Sequence, residues 1–315
     1  MEIALNILLL ILGFVMLIKG ADFFVDGASG IAKKFGIPEI IVGLTIVAMG
    51  TSAPEAAVSI AAALKGTGDI TLGNILGSNI LNIFIILGIT AVIVPVAVSE
   101  STVKIDMPFM VLMTVVLLVT GLRGGKIGRL DGILMWAFFL LYMGYLFYSA
   151  RDSMKAEAHK KDKEPSQSLP VLLLLTVAGA VMIVIGSNLT VNSATEIAAW
   201  LGVTPRVIAL TVVALGTSLP ELVTSVTAAR KGNADIAIGN IVGSNIFNIL
   251  FVVGSTALIT DVAFASKFLF DMTVAIIAAA LAWICSISGR KVDRKEGAFM
   301  VILYAAYLAY VLMGK

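Results

Sequence analysis

The feature that most limits the fold of this chain is a succession of apolar runs. A helix needs about 20 apolar residues to cross a bilayer, and backbone exposed to lipid must be helical or part of a closed barrel. Continuous runs favour helices, and ten runs approach or exceed the required length: near 3–19, 38–63, 70–97, 106–122, 130–149, 169–188, 204–229, 236–259, 269–288 and 297–313. The sequence therefore predicts an all-α membrane protein with ten transmembrane helices.

Composition supports this class. Hydrophobic residues make up 59% of the 315 residues and charged residues 13%, which is far from a soluble domain. The net charge of +2 does not favour nucleic-acid binding. The hydrophilic stretch 150–168 predicts a linker between two five-helix halves, 1–149 and 169–315. Lysine and arginine are more frequent on the linker's side of the membrane, 14 against 7, so we expect a cytoplasmic linker and extracellular termini in a multi-pass cell-membrane protein.

The two halves contain copies of one segment. Residues 43–88 align with 209–254 without a gap, and 26 of the 46 positions are identical. A unit of five spans ends on the opposite side of the membrane from its start, so its copy must be inserted upside down. Such inverted-topology repeats are typical of secondary transporters, whose binding sites lie at broken helices near the membrane midplane. The repeated segments fall in helices 2, 3, 7 and 8. These four helices are therefore predicted to form the ion-binding core.

Each copy places a helix breaker and a charge inside an apolar run. "GTSAPE" contains Gly50, Pro54 and Glu55, and "GTSLPE" repeats the pattern with Gly216, Pro220 and Glu221. Proline cannot donate a backbone hydrogen bond and disturbs the preceding turn, so carbonyl oxygens around 48–51 are expected to leave the helix ladder. Together with the hydroxyls of Thr51, Ser52, Thr217 and Ser218, each segment offers three kinds of oxygen.

Two carboxylates brought together in a low dielectric need a cation or must take up protons. Calcium binds six to eight oxygens in flexible geometry, and these residue types provide them. Soft metals are disfavoured because the only histidine, His159, lies in the linker, and the only cysteine, Cys285, lies in an apolar run. The sequence predicts a site for a hard cation and no cofactor.

A second motif adds neutral oxygens. In "GNILGSNILNI" the polar residues recur every four positions, which keeps them near one helix face. These residues are Asn74, Ser78 and Asn82, and their counterparts are Asn240, Ser244 and Asn248. Glycines on a neighbouring face permit close approach of another helix. Neutral ligands beside two carboxylates would keep a bound ion from being held too tightly to leave.

These motifs resemble the two alpha-repeats of the sodium/calcium exchangers, in the prokaryotic form of the cation/calcium exchanger superfamily. The resemblance covers essentially the whole chain and implies exchange of Ca2+ for Na+ by alternating access, with net charge movement. It implies direct ion binding by Glu55 and Glu221. It further assigns the ion site to Thr51, Thr217, Asn82 and Asn248, and the sodium positions to Ser52, Ser218, Ser78, Ser244 and the backbone oxygens of Ala48 and Ala214.

Features of the sequence bear on four alternative functions. Many exchangers carry aspartate at the position of Asn248, including potassium-dependent relatives, so the neutral residue disfavours potassium co-transport. Proton/calcium exchangers of the same superfamily share the layout but carry a different motif, G-N-x-x-E, and remain the alternative. A channel is disfavoured by the inverted repeat. An enzyme is disfavoured because the spans contain no histidine. No obligatory protein partner is evident, and the expected partners are Ca2+, Na+ and the lipid bilayer.

Overall fold

The computed structural model describes residues 2–157, 167–203, 214–266 and 268–313, and within these ranges the chain is almost wholly helical. The helices, numbered in chain order, are α1 (Glu2–Phe35), α2 (Glu39–Thr51), α3 (Ala53–Leu64), α4 (Ile70–Ile93), α5 (Thr102–Gly124), α6 (Arg129–Glu157), α7 (Leu169–Trp200), α8 (Ala214–Thr217), α9 (Leu219–Arg230), α10 (Ala234–Ile259), α11 (Phe268–Ile287) and α12 (Arg294–Leu312). Short strands, β1 (Val96–Ala97), β2 (Lys126–Ile127), β3 (Val262–Ala263) and β4 (Lys291–Val292), lie in the connections.

The prediction of an all-helical membrane protein is confirmed. In the described part of the chain, eight helices are long and apolar enough to cross a membrane, and the bent pair α2 and α3 makes a ninth. The seventh predicted run, near 204–229, begins at 204–213, outside the described residues, and continues as α8 and α9.

Three helices extend beyond the predicted apolar runs. The first run ends near residue 19, yet α1 continues to Phe35, and α7 continues to Trp200. The predicted linker begins at 150, but α6 continues to Glu157, and residues 158–166 lie outside the described part. The reason is that hydropathy marks only the stretch that suits lipid, whereas packing against another helix keeps the chain helical beyond it, as where Gly20 and Gly27 of α1 lie directly against α7.

Two short antiparallel ribbons join the halves of the chain. Strand β1 pairs with β4, and β2 pairs with β3, so each ribbon combines a connection from the first half with one from the second. An ion pair accompanies each ribbon: Arg290 lies 2.8 Å from Glu100, and Lys126 lies 2.6 Å from Asp261. These ion pairs are exposed and contribute little to stability.

Helices α4 and α10 form the centre of the bundle. Most of their side chains are buried, including Ile75, Leu76, Ile241 and Val242, whereas α1 exposes many large apolar side chains, as expected for contact with lipid. The glycine face of α10 lies directly on α2, because a Cβ added at Gly239 would be 2.9 Å from the Cα of Gly43. Small residues thus bring the first-half helix α2 and the second-half helix α10 into backbone contact.

Candidate cation-binding site

The predicted helix break lies at Ser52, between α2 and α3, where the chain bends by 49°. Pro54 follows in the first turn of α3, and it has no N–H to return to the carbonyl of Gly50. The carbonyl of Ala48, in contrast, still accepts the N–H of Ser52 at 3.0 Å. The oxygen of Ala48 also accepts from Thr51 Oγ1 at 3.3 Å, so the predicted release of oxygens 48–51 is incomplete.

The second break lies at Ser218, between α8 and α9. Its dihedral angles, φ −95° and ψ 5°, closely match those of Ser52, φ −83° and ψ 6°. Pro220 again occupies the first turn of the following helix. Ala214 is the first described residue of α8, and its backbone carbonyl lies one turn before the break.

The two glutamates lie just after these breaks and are wholly buried. Glu55 is 0% exposed and Glu221 is 1% exposed, each in the first turn of its helix, where the helix dipole favours negative charge. The serine of each break reaches across to the other half of the chain. Ser52 Oγ donates to Glu221 Oε1 at 2.8 Å, and Ser218 Oγ donates to Glu55 Oε1 at 3.4 Å. The two motifs therefore meet at one place, as the sequence predicts.

Among the residues that the structure describes, no cationic side chain compensates these carboxylates. Within the described residues, neither glutamate forms an ion pair with lysine or arginine, and Oε2 of each lacks a hydrogen-bond partner. The same residues contain no group of three or more His, Cys, Asp or Glu side chains that could hold a metal. A buried, unpaired carboxylate is costly. A bound cation would satisfy both groups, and its other ligands would have to be neutral oxygens.

Four asparagines form a reciprocal cluster between α4 and α10. Asn82 donates its amide to Asn245 Oδ1 at 3.0 Å, and Asn248 donates to Asn79 Oδ1 at 3.1 Å. Asn79 and Asn245 each donate to the other's backbone carbonyl at 3.3 Å. These bonds use the amide nitrogens of Asn82 and Asn248 and leave both side-chain oxygens buried without a partner. Such neutral amide oxygens are ligands for hard cations.

Sequence reasoning missed Asn79 and Asn245. They stand at the third position of "GSN" in both copies, so their recurrence in the repeat was a usable signal. They lie off the face defined by the four-residue spacing, and their role becomes apparent only when α4 and α10 are packed together. Their side chains orient the amides of Asn82 and Asn248.

The remaining predicted residues divide between contact with the carboxylates and support of the helices. Ser78 Oγ donates to Glu55 Oε1 at 3.4 Å, and the side chain of Thr217 contacts the same carboxylate. Thr51 Oγ1 donates to Asn240 Oδ1 at 2.9 Å. Ser244 Oγ lies 3.5 Å from the carbonyl oxygen of Ala48, at the limit of a hydrogen bond.

Asn74 and Asn240 attach the motif helices to one another. Asn74 donates to Ser59 Oγ at 3.1 Å and to the backbone oxygen of Glu55 at 3.4 Å. Asn240 makes the equivalent bonds to Ser225 at 2.9 Å and to the oxygen of Glu221 at 3.3 Å. Their amides are therefore engaged in holding α4 against α3 and α10 against α9.

Comparison with known proteins places this arrangement in a family. The sequence matches the model of the sodium/calcium exchanger protein family over residues 5–148 and 171–313. It is 35% identical over 343 aligned positions to the sodium/calcium exchanger MaX1 of Methanosarcina acetivorans, with 97% of this chain and 98% of that one covered. It is 38% identical over 306 positions to the putative antiporter CaxA of Alkalimonas amylolytica, with 94% and 95% covered.

A solved structure with a similar sequence has the same fold. The sodium-calcium exchanger NCX_Mj, soaked with 2.5 mM Na+ and 0.1 mM Ca2+, superposes with a TM-score of 0.83 at 30% identity, covering 97% of this chain and 98% of that chain. The match therefore extends over both halves of the chain. The chain therefore belongs to the sodium/calcium exchanger family, whose members are antiporters and not enzymes.

Proposed function

We propose that this chain exchanges Ca2+ for Na+ across the cell membrane by alternating access. The observation that carries the proposal is the pair of buried carboxylates, Glu55 and Glu221, with no cationic partner in the described residues and with an unpartnered oxygen on each. Binding of one Ca2+ neutralises this pair, and binding of Na+ in overlapping positions competes with it. Mutual exclusion of the two ions couples their transport.

The ligands follow from the geometry and from the family resemblance. Ca2+ is bound by Glu55 and Glu221, with Thr51 and Thr217 beside them. The unpartnered oxygens of Asn82 and Asn248, which follow Ser78 and Ser244 by four residues on the same helix faces, are further neutral ligands. The sodium positions involve Ser52, Ser78, Ser218 and Ser244 and the backbone oxygens of Ala48 and Ala214. Three Na+ against one Ca2+, as the resemblance implies, would move one net charge per cycle.

The architecture proposed for this cycle is a ten-helix inverted repeat, with halves 1–149 and 169–315 around the linker 150–168. Its support is that hydrogen bonds of the site recur at a shift of 166 residues: Ser52 with Glu221 and Ser218 with Glu55, and likewise Asn82 with Asn245 and Asn248 with Asn79. A repeat related by a twofold axis has two alternative ways to open, one toward each side. The excess of lysine and arginine favours extracellular termini and a cytoplasmic linker.

The identity of the counter-ion can be tested by transport into liposomes. Purified protein in liposomes loaded with Na+ should accumulate 45Ca2+ from outside, and loading with K+ or imposing a pH gradient alone should not replace Na+. Charge movement should make the uptake respond to a potential set with valinomycin. Uptake driven by a pH gradient and indifferent to Na+ would instead identify a proton/calcium antiporter.

A matched pair of variants tests the site. Glu55→Gln removes the charge with little change in shape, and uptake should fall to background. Asp106→Asn is the control, because Asp106 is also a buried carboxyl within a span, 2% exposed, but it hydrogen-bonds Tyr142 away from the site. Uptake that survives Glu55→Gln would refute the proposed site.

A further inference from the structure

A serine of α7 contacts the second helix break from a neighbouring helix. Ser187 Oγ donates to the backbone oxygen of Gly216 at 2.8 Å, and Ser187 is only 4% exposed. Gly216 lies in α8, four residues before Pro220, which has no N–H to return to that oxygen. The hydroxyl of Ser187 therefore binds the carbonyl oxygen that the proline leaves free.

This hydrogen bond differs from the one that hydroxyl side chains commonly make in membrane helices. Such side chains often bond the carbonyl four residues earlier in their own helix. Thr176 of α7 does so, donating to Leu172 O at 2.8 Å. Ser286 of α11 does the same with Ala282 O at 2.7 Å. Ser187 instead donates to another helix, at a place where the backbone is broken, and so links α7 to the candidate cation site.

Helix α7 also packs directly on this break. A Cβ added at Gly216 would clash with the side chain of Val191, which lies one helical turn after Ser187. A glycine at this position lets the backbone of α8 approach α7 closely. The close approach brings the Gly216 oxygen within hydrogen-bonding distance of the serine hydroxyl.

The first half of the chain has no hydroxyl group at the corresponding position. The shift of 166 residues that aligns the two copies places Gly50 opposite Gly216. The same shift places Ala21 opposite Ser187, and Ala21 is wholly buried. The ring of Phe24 lies against the first break, because a Cβ added at Gly50 would be 3.0 Å from Phe24 Cζ. The first break is thus covered by an aromatic ring, whereas the second is held by a hydrogen bond.

The bonded carbonyl belongs to a peptide unit that leads directly to residues of the site. The oxygen of Gly216 and the N–H of Thr217 lie in one rigid plane. The side chain of Thr217 contacts the carboxylate of Glu55, and Ser218 Oγ donates to Glu55 Oε1 at 3.4 Å. A rotation of this plane would move both side chains relative to the carboxylate.

We propose that Ser187 is a positioning residue for cation exchange. Its hydroxyl fixes the peptide unit between Gly216 and Thr217, and it thereby holds Thr217 and Ser218 in place beside Glu55. Ser187 acts through the backbone and not as an ion ligand. The inference rests on the proposed function, since it concerns the ligands of the same site.

A purely structural role is the competing explanation. A carbonyl without a partner inside a membrane is costly, and a serine hydroxyl can satisfy a carbonyl freed by any proline. Loss of the bond would then lower the stability of the whole protein and the amount of active protein. Positioning makes a narrower prediction, because it confines the effect to the second break and to the affinity for ions.

The first test measures the backbone at the two breaks without using transport. Hydrogen–deuterium exchange of the intact protein in lipid nanodiscs is followed in segments 214–222 and 48–56, which correspond in the two halves. In Ser187→Ala, the amide hydrogens of 214–222 should exchange about fivefold faster, because a hydrogen bond at that break is lost. Those of 48–56 should keep their rate.

Thr176→Val is the control for this exchange experiment. It removes a buried hydroxyl of α7 that bonds within its own helix, and it keeps the shape of the side chain. Neither segment should change its exchange rate in this variant. Equal acceleration of both segments in Ser187→Ala, or no acceleration at 214–222, would overturn the inference.

The second test measures the affinity for the transported ions. Ser187→Ala should raise the internal Na+ concentration for half-maximal 45Ca2+ uptake by about tenfold, as expected when a residue that orients metal ligands is removed. The KM for Ca2+ should rise less, because attraction to two carboxylates dominates Ca2+ binding. Thr176→Val should keep both values near those of the unmodified protein.

A lower maximal rate of uptake in Ser187→Ala, with both half-saturation values unchanged, would show a structural role alone and contradict positioning. The two tests also separate this inference from the function on which it rests. If the unmodified protein shows no Na+-driven uptake, the proposed function fails, while hydrogen exchange still decides whether Ser187 fixes the second break.

Discussion

The hydroxyl of Ser52 donates to Glu221 Oε1 at 2.8 Å, across a separation of 169 residues in sequence. Its counterpart, from Ser218 to Glu55 Oε1, is longer at 3.4 Å. Hydrogen bonds to a carboxylate are stronger when short. The two halves of the site are therefore similar in composition but different in geometry, and Ser52 is the more tightly engaged of the two serines.

This difference predicts unequal effects of removing the two hydroxyls. Ser52→Ala should reduce Na+-dependent uptake more than Ser218→Ala, because the lost bond to a buried carboxylate is worth about 1.5–3 kcal/mol when well formed. The concentration of internal Na+ that gives half-maximal 45Ca2+ uptake measures the effect and should rise more for Ser52→Ala. Cysteine, which keeps a weak donor, should give an intermediate value at position 52. Equal shifts for the two alanine variants would contradict the asymmetry.

The neutral side chain of Asn248 allows the affinity for Ca2+ to be changed by substitution. Asn248→Asp adds a third carboxylate next to a site that already has two, so Ca2+ should bind more tightly and leave more slowly. The expected result is a lower KM for Ca2+ together with a lower kcat in counterflow with unlabelled Ca2+. Asn248→Ala, which removes the oxygen, should raise KM instead. A lower KM for both variants would mean that the side-chain oxygen of Asn248 is not a ligand.

The sequence was sufficient for the parts of the site that depend on local chemistry. The break at Pro54, the carboxylate of Glu55 and the counterparts of both residues follow from a proline and a charge inside an apolar run that occurs twice. The all-helical membrane class also followed, because lipid imposes helices of a known length on apolar runs.

The other contacts of the site depend on packing between segments that are distant in sequence. Asn79 and Asn245 act only through each other's helix, 166 residues away, so no pattern within one helix marks them. The hydrogen bond from Ser52 to Glu221 likewise requires both halves to be packed. Sequence periodicity gives the face of a helix and does not give the partner of that face.

The glycine contact between α10 and α2 predicts a difference in stability. Gly243→Ala would place a methyl group 2.7 Å from Leu44 O, and overpacking of this kind costs about 1–3 kcal/mol. Gly144→Ala is the control, because Gly144 is an exposed residue within α6, an added Cβ there meets no described atom, and alanine favours helix by up to about 1 kcal/mol. The detergent-solubilised protein should lose its monodisperse peak at a lower temperature with Gly243→Ala and at the same or a higher temperature with Gly144→Ala. The reverse order would contradict the packing described for Gly243.

The ion pairs of Lys231 should make a salt-dependent contribution to the stability of the protein. Its ammonium lies 2.8 Å from Asp26 Oδ1 and 3.2 Å from Asp22 Oδ1, which joins the end of α9 to the middle of α1. At the equivalent places of the other half the aspartates are replaced by Asn188 and Asn192, which cannot form the ion pair.

Because these side chains are partly exposed, Lys231→Gln should cost no more than about 1 kcal/mol of stability. The loss should be seen as a lower unfolding temperature at 50 mM KCl and should nearly vanish at about 1 M, where screening acts within about 3 Å. Lys65→Gln changes the residue that corresponds to Lys231 in the first half, and no described carboxylate pairs with Lys65, so it should have no effect at either salt concentration. A loss for Lys231→Gln that is the same at both concentrations would mean that Lys231 acts through packing of its aliphatic part and not through its charge.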